Sequence, residues 1–541
     1  MTRGDTQLVL SDVTKRYDDR VVLDRVSLTV RPGEKVGVVG DNGSGKSTLL
    51  RLIAGREAPD NGVVTLRAPG GVGYLAQTLD LPGTARVGDA VDLALAELRD
   101  LERRLRAAAG TDLDQYARLL EEYEVRGGHD ADRRVDTLLH RLGERAVLDR
   151  DRRLGTLSGG QRSRLALAAT LAAEPELLLL DEPTNDLDDA AVAWLEERLK
   201  AHRGTLVAVT HDRVFLDRVT TAVLEMDRDR RTVRRYGDGY AGYLTGKAAE
   251  RARWEREHEQ WRAEVARHSA LADSHIDRLS AIPRKGPWAF SGAGAFRARS
   301  RSHGAMSRIR SAREQLHRLT ERPVPPPPQP LRFSAHLEGS GGAVELDGVT
   351  VEGRLSVDRL TIAPGERILV TGANGAGKST LLQVLAGELA ADSGRVRRPA
   401  RVGSLRQDVA PATDPRTLRE VYGVERAAEL LEFGLFTAAD LVTPVAALSA
   451  GQRRRLELAR LVREPVDLLL LDEPTNHLAP ALVEEVERAL VPYAGAIVVV
   501  THDRRLRDRF PGRRLELGAG GLREAGTRRP QGRPEAMKCH G

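Results

Sequence analysis

The sequence carries two copies of one glycine-rich loop, and the first copy reads Gly40-Asp41-Asn42-Gly43-Ser44-Gly45-Lys46-Ser47-Thr48. An apolar run precedes this loop and a leucine-rich run follows it, so the pattern predicts a strand, a loop and a helix. That is the setting of a P-loop, where backbone N–H groups at the start of a helix point at phosphates. Lys46 would add a charge at the phosphates and Ser47 an oxygen for Mg²⁺. The loop therefore predicts a nucleotide site.

The second copy reads Gly372-Ala373-Asn374-Gly375-Ala376-Gly377-Lys378-Ser379-Thr380. Each copy is followed by a Leu-Ser-x-Gly-Gln sequence, a leucine run that ends in Asp-Glu, and a histidine. In both halves the serine, Ser158 or Ser449, lies 23 residues before the aspartate, and the histidine lies 30 residues after it. Two chance series at matching spacing are not credible, so the chain contains two related nucleotide-binding domains.

This series of motifs resembles that of the ABC ATPases. The resemblance implies an α/β fold with two P-loop ABC-type nucleotide-binding domains in tandem, joined by a long α-helical hairpin linker. We expect a first ABC domain at 5–245, with a helical arm at about 91–140, and a second ABC domain at 331–520. The linker would occupy 246–330. The basic tail at 521–541 has a composition that predicts disorder.

The resemblance also implies roles for single residues, with ATP and Mg²⁺ as the cofactors. Each ATP would lie between one domain's P-loop and the other domain's signature, Ser158-Gly159-Gly160-Gln161 or Ser449-Ala450-Gly451-Gln452. Glu182 and Glu473 would activate water, and His211 and His502 would sense the γ-phosphate. Tyr17, on the loop between the two opening strands, would stack on adenine. The ligands of Mg²⁺ would be Ser47, Gln77 and Asp181 in the first half and Ser379, Gln407 and Asp472 in the second.

The two halves differ in ways that predict unequal sites. No aromatic residue matches Tyr17 in the second half, so the Lys378 site should hold adenine more weakly. Ala450 stands where the family usually has glycine, and its methyl group would crowd backbone that approaches phosphate. The signature serine also lies 81 positions after Gln77 in the first half, against 42 positions after Gln407 in the second half. Apolar stripes in the additional residues predict two amphipathic helices, which we call the arm. The sequence does not indicate what the arm binds.

The segment between the domains predicts an antiparallel helical hairpin. Residues 247–282 carry one apolar stripe that includes Trp254 and Trp261, and residues 306–319 carry a matching stripe. The turn at 283–302 combines arginine, glycine and aromatic residues, a surface suited to structured RNA. The alternative is a loop whose aromatic residues fold back on the hairpin. The predicted RNA-facing residues are Arg284, Lys285, Trp288, Phe290, Phe296, Arg297, Arg299 and Arg301, and the Pro-rich run 323–330 would form a stiff strut.

Charge and composition restrict the location and the partners. The net charge is +6, and 17 Arg and Lys against 9 Asp and Glu lie in residues 246–330, where a polyanion would be held. No apolar run approaches the roughly 18–20 residues of a membrane span, and no signal peptide is recognisable. The single cysteine, Cys539, excludes an intramolecular disulfide and suits a reducing compartment. We therefore expect a cytoplasmic protein with no membrane association. The resemblance to the ABC ATPases implies a monomer whose two ATPase domains pair within the chain.

Tandem ABC domains, an arm and a charged hairpin together resemble the ABC-F proteins. The resemblance implies a ribosome partner, with the protein in the exit site and its hairpin near the P-site tRNA and ribosomal RNA of the peptidyl-transferase centre. Residues 289–310 resemble the antibiotic-resistance branch, which protects ribosomes against macrolides, lincosamides or streptogramins. Two alternatives stay open, a housekeeping ABC-F translation factor and the ATPase subunit of a drug exporter.

Overall fold

The computed structural model describes residues 6–524, except for 19, 42, 78, 80, 145–146, 228–230, 281–309, 330, 334–342, 374, 408–412, 477 and 519–520, and except for the side chains of 273–280. The chain separates into two compact units. The first, called the ATPase unit, comprises Met1–Leu244, Pro330–Val421 and Val442–Gly541. The second, called the linker unit, comprises Thr245–Gln329 and Tyr422–Leu441.

The first half of the ATPase unit contains two sheets. A six-stranded sheet has the order β5-β6-β7-β3-β8-β9 and is parallel except for its last strand, while β2, β1 and β4 form an antiparallel sheet. The strands are β1 (Gln7–Tyr17), β2 (Arg20–Val30), β3 (Lys35–Gly40), β4 (Asn61–Arg67), β5 (Val72–Leu75), β6 (Leu177–Asp181), β7 (Thr205–Val209), β8 (Ala222–Asp227) and β9 (Thr232–Tyr236). The helices are α1 (Lys46–Ile53), α2 (Val87–Ala94), α3 (Ala96–Ala108), α4 (Leu113–Val125), α5 (Ala131–Arg141), α6 (Gly159–Ala172), α7 (Asp189–Ala201) and α8 (Arg213–Val219).

The central strands are nearly continuous apolar runs because both faces of the parallel sheet are covered. Every residue of β6 and β7 is buried. One face packs on α1 and the antiparallel sheet, with Leu8, Val36 and Leu49 in a shared core. The other face packs on α6 and α7, with Leu165 and Leu195 in a second core. The carboxyl ends of the adjacent strands β6, β7 and β3 therefore meet at one edge of the sheet.

The second half repeats this plan. Its six-stranded sheet has the order β14-β15-β16-β12-β17-β18, which matches the first half strand for strand, and again only the last strand is antiparallel. The strands β11, β10 and β13 form its antiparallel sheet. The strands are β10 (Val344–Val351), β11 (Leu355–Ile362), β12 (Arg367–Thr371), β13 (Ser393–Arg397), β14 (Val402–Leu405), β15 (Leu468–Asp472), β16 (Ala496–Val500), β17 (Arg513–Gly518) and β18 (Gly521–Glu524). The helices are α11 (Lys378–Ala386), α12 (Leu418–Tyr422), α14 (Ala450–Arg463), α15 (Pro480–Leu490) and α16 (Arg504–Arg509), whereas α13 (Ala427–Glu432) belongs to the linker unit.

The additional residues of the first half form the helices α3 and α4. The two helices bury a small core of their own, made by Leu101, Leu105 and Ala108 on α3 and by Leu119 and Tyr123 on α4. Asp112 caps α4, since its side chain accepts a hydrogen bond from the Gln115 backbone N–H at 2.9 Å. The predicted pair of amphipathic helices is therefore present within residues 91–140.

The long helix α9 spans Gly239–Ser280, so the predicted start at Lys247 was wrong. The helix begins earlier because Tyr240 and Tyr243, one turn apart, are buried with Tyr236. A second helix, α10, covers 310–321. Trp261 donates its indole N–H to the Leu319 carbonyl at 3.0 Å, so the two helices lie side by side within the linker unit.

The Pro-rich segment, predicted to form a stiff strut, lies along α9. Four side chains on one face of α9 donate hydrogen bonds to carbonyls of the segment and of α10. Besides Trp261, they are Arg251 to Pro328 at 2.6 Å, Trp254 to Pro325 at 2.9 Å, and His258 to Val324 at 2.9 Å. Proline cannot donate a backbone hydrogen bond but keeps its carbonyl, which explains how this run pairs with helix side chains. Within the described residues, no helix is both long and apolar enough to cross a membrane.

Candidate functional site

Both P-loops join a central strand to a helix. The loop that follows β3 leads into α1, and the loop that follows β12 leads into α11. Gly40 and Gly372 have φ of 150° and 147°, which other residues rarely adopt. A Cβ at Gly40 would lie 2.7 Å from the Met226 carbonyl oxygen, and one at Gly372 would lie 2.2 Å from that of Leu517. Only glycine therefore fits where each loop crosses the neighbouring strand.

The P-loop lysines fold back over their own loops. Lys46 Nζ donates to the carbonyls of Gly40 at 2.8 Å and Asp41 at 3.0 Å, and Lys378 Nζ donates to the matching carbonyls at 2.8 and 2.9 Å. Burial lowers the pKa of both lysines, although nearby carboxylates oppose this effect. Lys46 is only 8% exposed, whereas Lys378 is half-buried. The ammonium groups thus stand over the loops, where phosphate would accept their hydrogen bonds.

A carboxylate pair lies at the end of the leucine strands β6 and β15. Asp181 and Asp472 are 4% and 5% exposed, and Asp181 accepts a hydrogen bond from Ser47. Burial raises the pKa of Asp181, while the Ser47 hydrogen bond lowers it. The Asp181 Oδ2 atom is buried without a hydrogen-bond partner among the described residues. A buried carboxylate oxygen beside a hydroxyl is a donor set that suits Mg²⁺, which takes oxygen ligands.

Glu182 and Glu473 follow these aspartates in a strained conformation. Their φ values are 51° and 47°, in the left-handed region that costs a non-glycine residue about 1–3 kcal/mol and that clusters at functional sites. Burial raises the pKa of each glutamate to about 7. The backbone N–H groups of His211 and His502 donate to Glu182 and Glu473 at 3.4 and 3.1 Å. Each half therefore brings glutamate and histidine together at the same edge of its sheet.

The two signature sequences begin the helices α6 and α14. Ser158 accepts a hydrogen bond from the Gln161 backbone N–H at 3.2 Å while the Gln161 side chain accepts one from Ser158, and Ser449 and Gln452 repeat this capping box. Ala450 occupies the place of Gly159, and a Cβ built at Gly159 meets nothing within 4 Å. The first half therefore has room for a methyl group at the position that matches Ala450, and the crowding expected near phosphate stays a prediction.

One ion pair joins the second signature helix to the first P-loop. Arg455, on α14, donates to Asp41 at 2.5 Å. In the other direction Ala373 takes the place of Asp41, and Arg164 takes that of Arg455. Arg164 contacts Glu144 at 3.1 Å within its own half. The described contacts therefore tie one P-loop, and not the other, to the opposite signature helix.

A cavity of about 1350 Å³ opens between the two halves of the ATPase unit. Sequence-predicted site residues from both halves line it together. They are Gly43, Gly45, Lys46, Ser47, Thr48, Gln77, Gly160, Asp181, Glu182 and His211 of the first half, and Gly372, Ala373, Glu473 and His502 of the second. Gln407 is exposed at the end of β14, as Gln77 is at the end of β5, but it does not line this cavity.

Tyr17 is the last residue of β1 and pairs with Arg20, so its predicted place on a loop was wrong. The hairpin is tighter than the sequence suggests. The Tyr17 hydroxyl donates to Glu57 at 2.5 Å and accepts from Arg51 at 3.3 Å, while 37% of the residue stays exposed. At the matching hairpin end in the second half, Val351 pairs with Leu355. An aromatic ring, that of Tyr17, therefore lies at this hairpin end beside the P-loop helix α1 in the first half, whereas the aliphatic Val351 takes the matching position in the second half.

Some predicted residues lie outside the described part of the chain. These are Asn42 and Asn374 of the P-loops, all eight predicted RNA-facing residues of the hairpin turn, and most of the tail. The sequence reasoning in turn missed Arg213, Arg455 and Arg504, which form ion pairs between the halves. The repeat of His-Asp-Arg at 211–213 and 502–504 could have indicated two of these arginines.

Comparisons with known proteins agree with this geometry. The family described as ABC transporter matches residues 23–185 and 355–476. The chain is 60% identical to the tylosin resistance ATP-binding protein TlrC of Streptomyces fradiae, over 96% of this chain and 98% of that protein. It is 34% identical to the energy-dependent translational throttle protein EttA of Mycobacterium tuberculosis, over 92% of this chain and 89% of that protein.

A solved structure titled RNase-L Inhibitor shares the fold, with a TM-score of 0.52 and 20% identity over 94% of this chain and 87% of that one. The strand orders, the two motif series and the matches over nearly the whole chain agree on one classification. The α/β fold class predicted from the sequence is confirmed, as is the activity class of an ATP hydrolase that binds ATP. The chain belongs to the ABC family as a tandem ATPase of the ABC-F type.

Proposed function

We propose that this protein is a cytoplasmic, monomeric ribosome-protection ATPase. It hydrolyses ATP at two composite sites and inserts its linker hairpin from the ribosomal exit site toward the P-site tRNA and peptidyl-transferase centre. This insertion dislodges an antibiotic of the macrolide, lincosamide or streptogramin type and confers resistance. The observation that carries the proposal is the 60% identity, over nearly the whole of both chains, to a tylosin resistance protein. That match extends through the linker as well as the ATPase motifs.

In the proposed mechanism Glu182 and Glu473 orient and activate the attacking water. Their burial beside a histidine N–H, at the end of a buried strand, supports this role. His211 and His502 hold the γ-phosphate side of the site, and the lysines over the P-loops take the β- and γ-phosphates. We assign Mg²⁺ to Ser47, Gln77 and Asp181 in the first half and to Ser379, Gln407 and Asp472 in the second. When bound, the ion neutralises charge on the phosphates.

We further propose that each ATP lies between one P-loop and the opposite signature sequence. The Arg455–Asp41 ion pair supports this arrangement for the Lys46 site, because it brings α14 to the first P-loop. Tyr17 would stack on the adenine of that site. The Lys378 site lacks both features, since Ala373 and Val351 stand in the corresponding places. We therefore propose that the Lys46 site holds ATP more tightly.

The linker unit would carry the contacts with the ribosome. Within it, four donors on α9 fasten the Pro-rich segment and α10, which makes a stiff support for the turn beyond. The basic excess of residues 246–330 suits ribosomal RNA and tRNA. We keep the domain division 5–245, 246–330, 331–520 and 521–541 as part of this proposal, with residues 283–302 as the part that acts near the drug.

A housekeeping ABC-F translation factor is the second candidate, and the 34% identity to a translational throttle protein favours it. Such a factor would use the same ATPase motifs, so only the effect on drugs separates the two. The deciding experiment expresses the chain in a sensitive host and measures susceptibility to a macrolide, a lincosamide and a streptogramin. The Glu182→Gln, Glu473→Gln double variant is the control for expression without turnover.

The proposal expects resistance to at least one of these drug classes with the parent chain and none with the double variant. A second variant replaces residues 287–296 by a short Gly/Ser loop and should keep ATPase activity while it loses resistance. Unchanged susceptibility with the parent chain would favour the translation factor. Undiminished resistance after the loop replacement would remove the hairpin turn from the mechanism.

A further inference from the structure

The two γ-phosphate-sensing histidines are each followed by Asp-Arg, and these residues meet across the halves. Asp212 Oδ1 caps α8, accepting from the Val214 and Phe215 backbone N–H groups at 2.9 and 3.1 Å. Asp503 Oδ1 caps α16 in the same way, accepting from Leu506 at 2.9 Å. Each aspartate therefore uses one oxygen for its own helix and keeps Oδ2 for another partner.

That partner is the arginine of the opposite half. Arg504 donates to Asp212 Oδ2 at 2.7 Å, and Arg213 donates to Asp503 Oδ2 at 3.0 Å. The arrangement is reciprocal, since the aspartate beside each histidine pairs with the arginine beside the other histidine. We call these two ion pairs the loop-exchange pairs.

Further acids on each side complete the arrangement. Arg213 also donates to Glu487 and, at 3.0 Å, to Glu484, both on α15, and Arg504 donates to Glu196 on α7. Glu487 and Glu196 are equivalent, because each lies 15 residues before the histidine of its own half. Arg213 and Glu196 are 1% and 0% exposed. Separating a buried pair leaves an uncompensated charge, so the halves are held together at this place more firmly than exposed ion pairs would hold them.

The loop-exchange pairs are one residue away from each candidate catalytic centre. The His211 N–H donates to Glu182, and the next residue along the chain, Asp212, meets Arg504. The His502 N–H donates to Glu473, and Asp503 meets Arg213. Any shift of one histidine loop during hydrolysis therefore acts on the opposite histidine loop through a short, buried and charged connection.

We propose that the loop-exchange pairs Asp212–Arg504 and Asp503–Arg213 couple the two ATP sites, so that each site turns over only in step with the other. The four residues are positioning residues that act through the histidine loops. The inference rests on the proposed roles of Glu182 and Glu473, and its test separates the failure of one from the failure of the other.

The test compares hydrolysis with and without one blocked site. For a given background, the ratio is the ATPase rate of that background divided by the sum of its rates after Glu182→Gln alone and after Glu473→Gln alone. Coupled sites give a ratio of roughly ten or more, because either blocked site arrests its neighbour, whereas independent sites give about one even when their rates are unequal. The ratio does not depend on the folded fraction of a background, since that fraction enters every rate. A merely structural role of the pairs would leave it unchanged.

The pairs are broken by Asp212→Asn with Asp503→Asn. Asparagine keeps an oxygen that can cap each helix but cannot balance the charge of the arginine. The single variant Asp212→Asn is milder, since the Asp503–Arg213 pair stays in place. The control is Asp151→Asn, which removes an exposed ion pair with Arg86 at 2.7 Å, away from the boundary between the halves.

The parent and Asp151→Asn should give a ratio of roughly ten or more, the Asp212→Asn, Asp503→Asn background about one, and Asp212→Asn alone an intermediate value. A ratio of about one in the parent, or an unchanged high ratio after both aspartates are replaced, overturns the coupling. Parental rates in both Glu182→Gln and Glu473→Gln, and in their combination, would instead overturn the proposed role of the glutamates.

Discussion

Replacing Trp254 and Trp261 together by phenylalanine should loosen the linker hairpin without touching the ATP sites. Each indole N–H donates to a carbonyl of the returning chain, at 2.9 Å to Pro325 and 3.0 Å to Leu319. Phenylalanine keeps most of the apolar ring and loses the donor. Each such hydrogen bond contributes about 1 kcal/mol net, so the double change weakens the hairpin by about 2 kcal/mol. The detached fraction should then rise about 30-fold.

Hydrogen exchange of the backbone amides in residues 310–321 measures this fraction directly, because these amides exchange when the helix detaches. The control is Thr320→Val, which removes a hydrogen bond of 2.9 Å from the threonine hydroxyl to Leu316 within α10 and none across the hairpin. The tryptophan variant should lose protection in this segment and also lose drug resistance, with unchanged ATP hydrolysis. Equal protection in the parent and in the double variant would refute the view that these indoles fasten the hairpin.

Three further outcomes follow from the ATPase unit. Glu182→Gln with Glu473→Gln should keep ATP binding, lower turnover by orders of magnitude and trap the protein on ribosomes in a pelleting assay, whereas parental turnover would contradict the assigned roles. Tyr17→Ala should weaken ATP binding at the Lys46 site by about 1–3 kcal/mol, while Val351→Ala leaves the other site unchanged, and equal effects in nucleotide titrations would oppose the asymmetry. Burial lowers the pKa of His202 to about 4, below its unfolded value. The free energy of unfolding should therefore fall by about 2 kcal/mol between pH 7.5 and pH 5, because the unfolded chain takes up a proton that the folded chain does not. His202→Gln should remove that loss.

The motif spacing was enough to predict which residues of the candidate ATPase site lie together, because each motif directly follows a strand of the same parallel sheet. The P-loop lysine, the buried acids and the histidine each follow one of three adjacent parallel strands, so the fold must bring them to one edge. The leucine run of β6 also predicted its burial on both faces. Residue type and spacing therefore predicted that Lys46, Asp181, Glu182 and His211 lie together, as they do along one cavity, while their roles at ATP stay a prediction.

Contacts between the halves could not be predicted in the same way. Arg213 resembles any charged residue at the start of an amphipathic helix, and its burial results from acids about 270–290 positions away in the sequence. The Pro-rich run was predicted to be a stiff strut from its composition, which gives no information about the donors on α9 that hold it. Tyr17 was predicted on a loop and lies at the end of β1, since the length of the β1–β2 turn depends on strand register, which the sequence does not show.

The central claim is that ATP turnover by this protein removes an antibiotic from the ribosome. The most direct measurement is the amount of a radiolabelled macrolide, lincosamide or streptogramin, of the class to which the chain confers resistance, that stays bound to purified sensitive ribosomes carrying P-site tRNA. The purified protein with ATP should release the drug, and repeated release should require turnover, so that the Glu182→Gln, Glu473→Gln variant acts at most once per molecule. Full retention of the drug in the presence of bound protein and ATP would contradict the account.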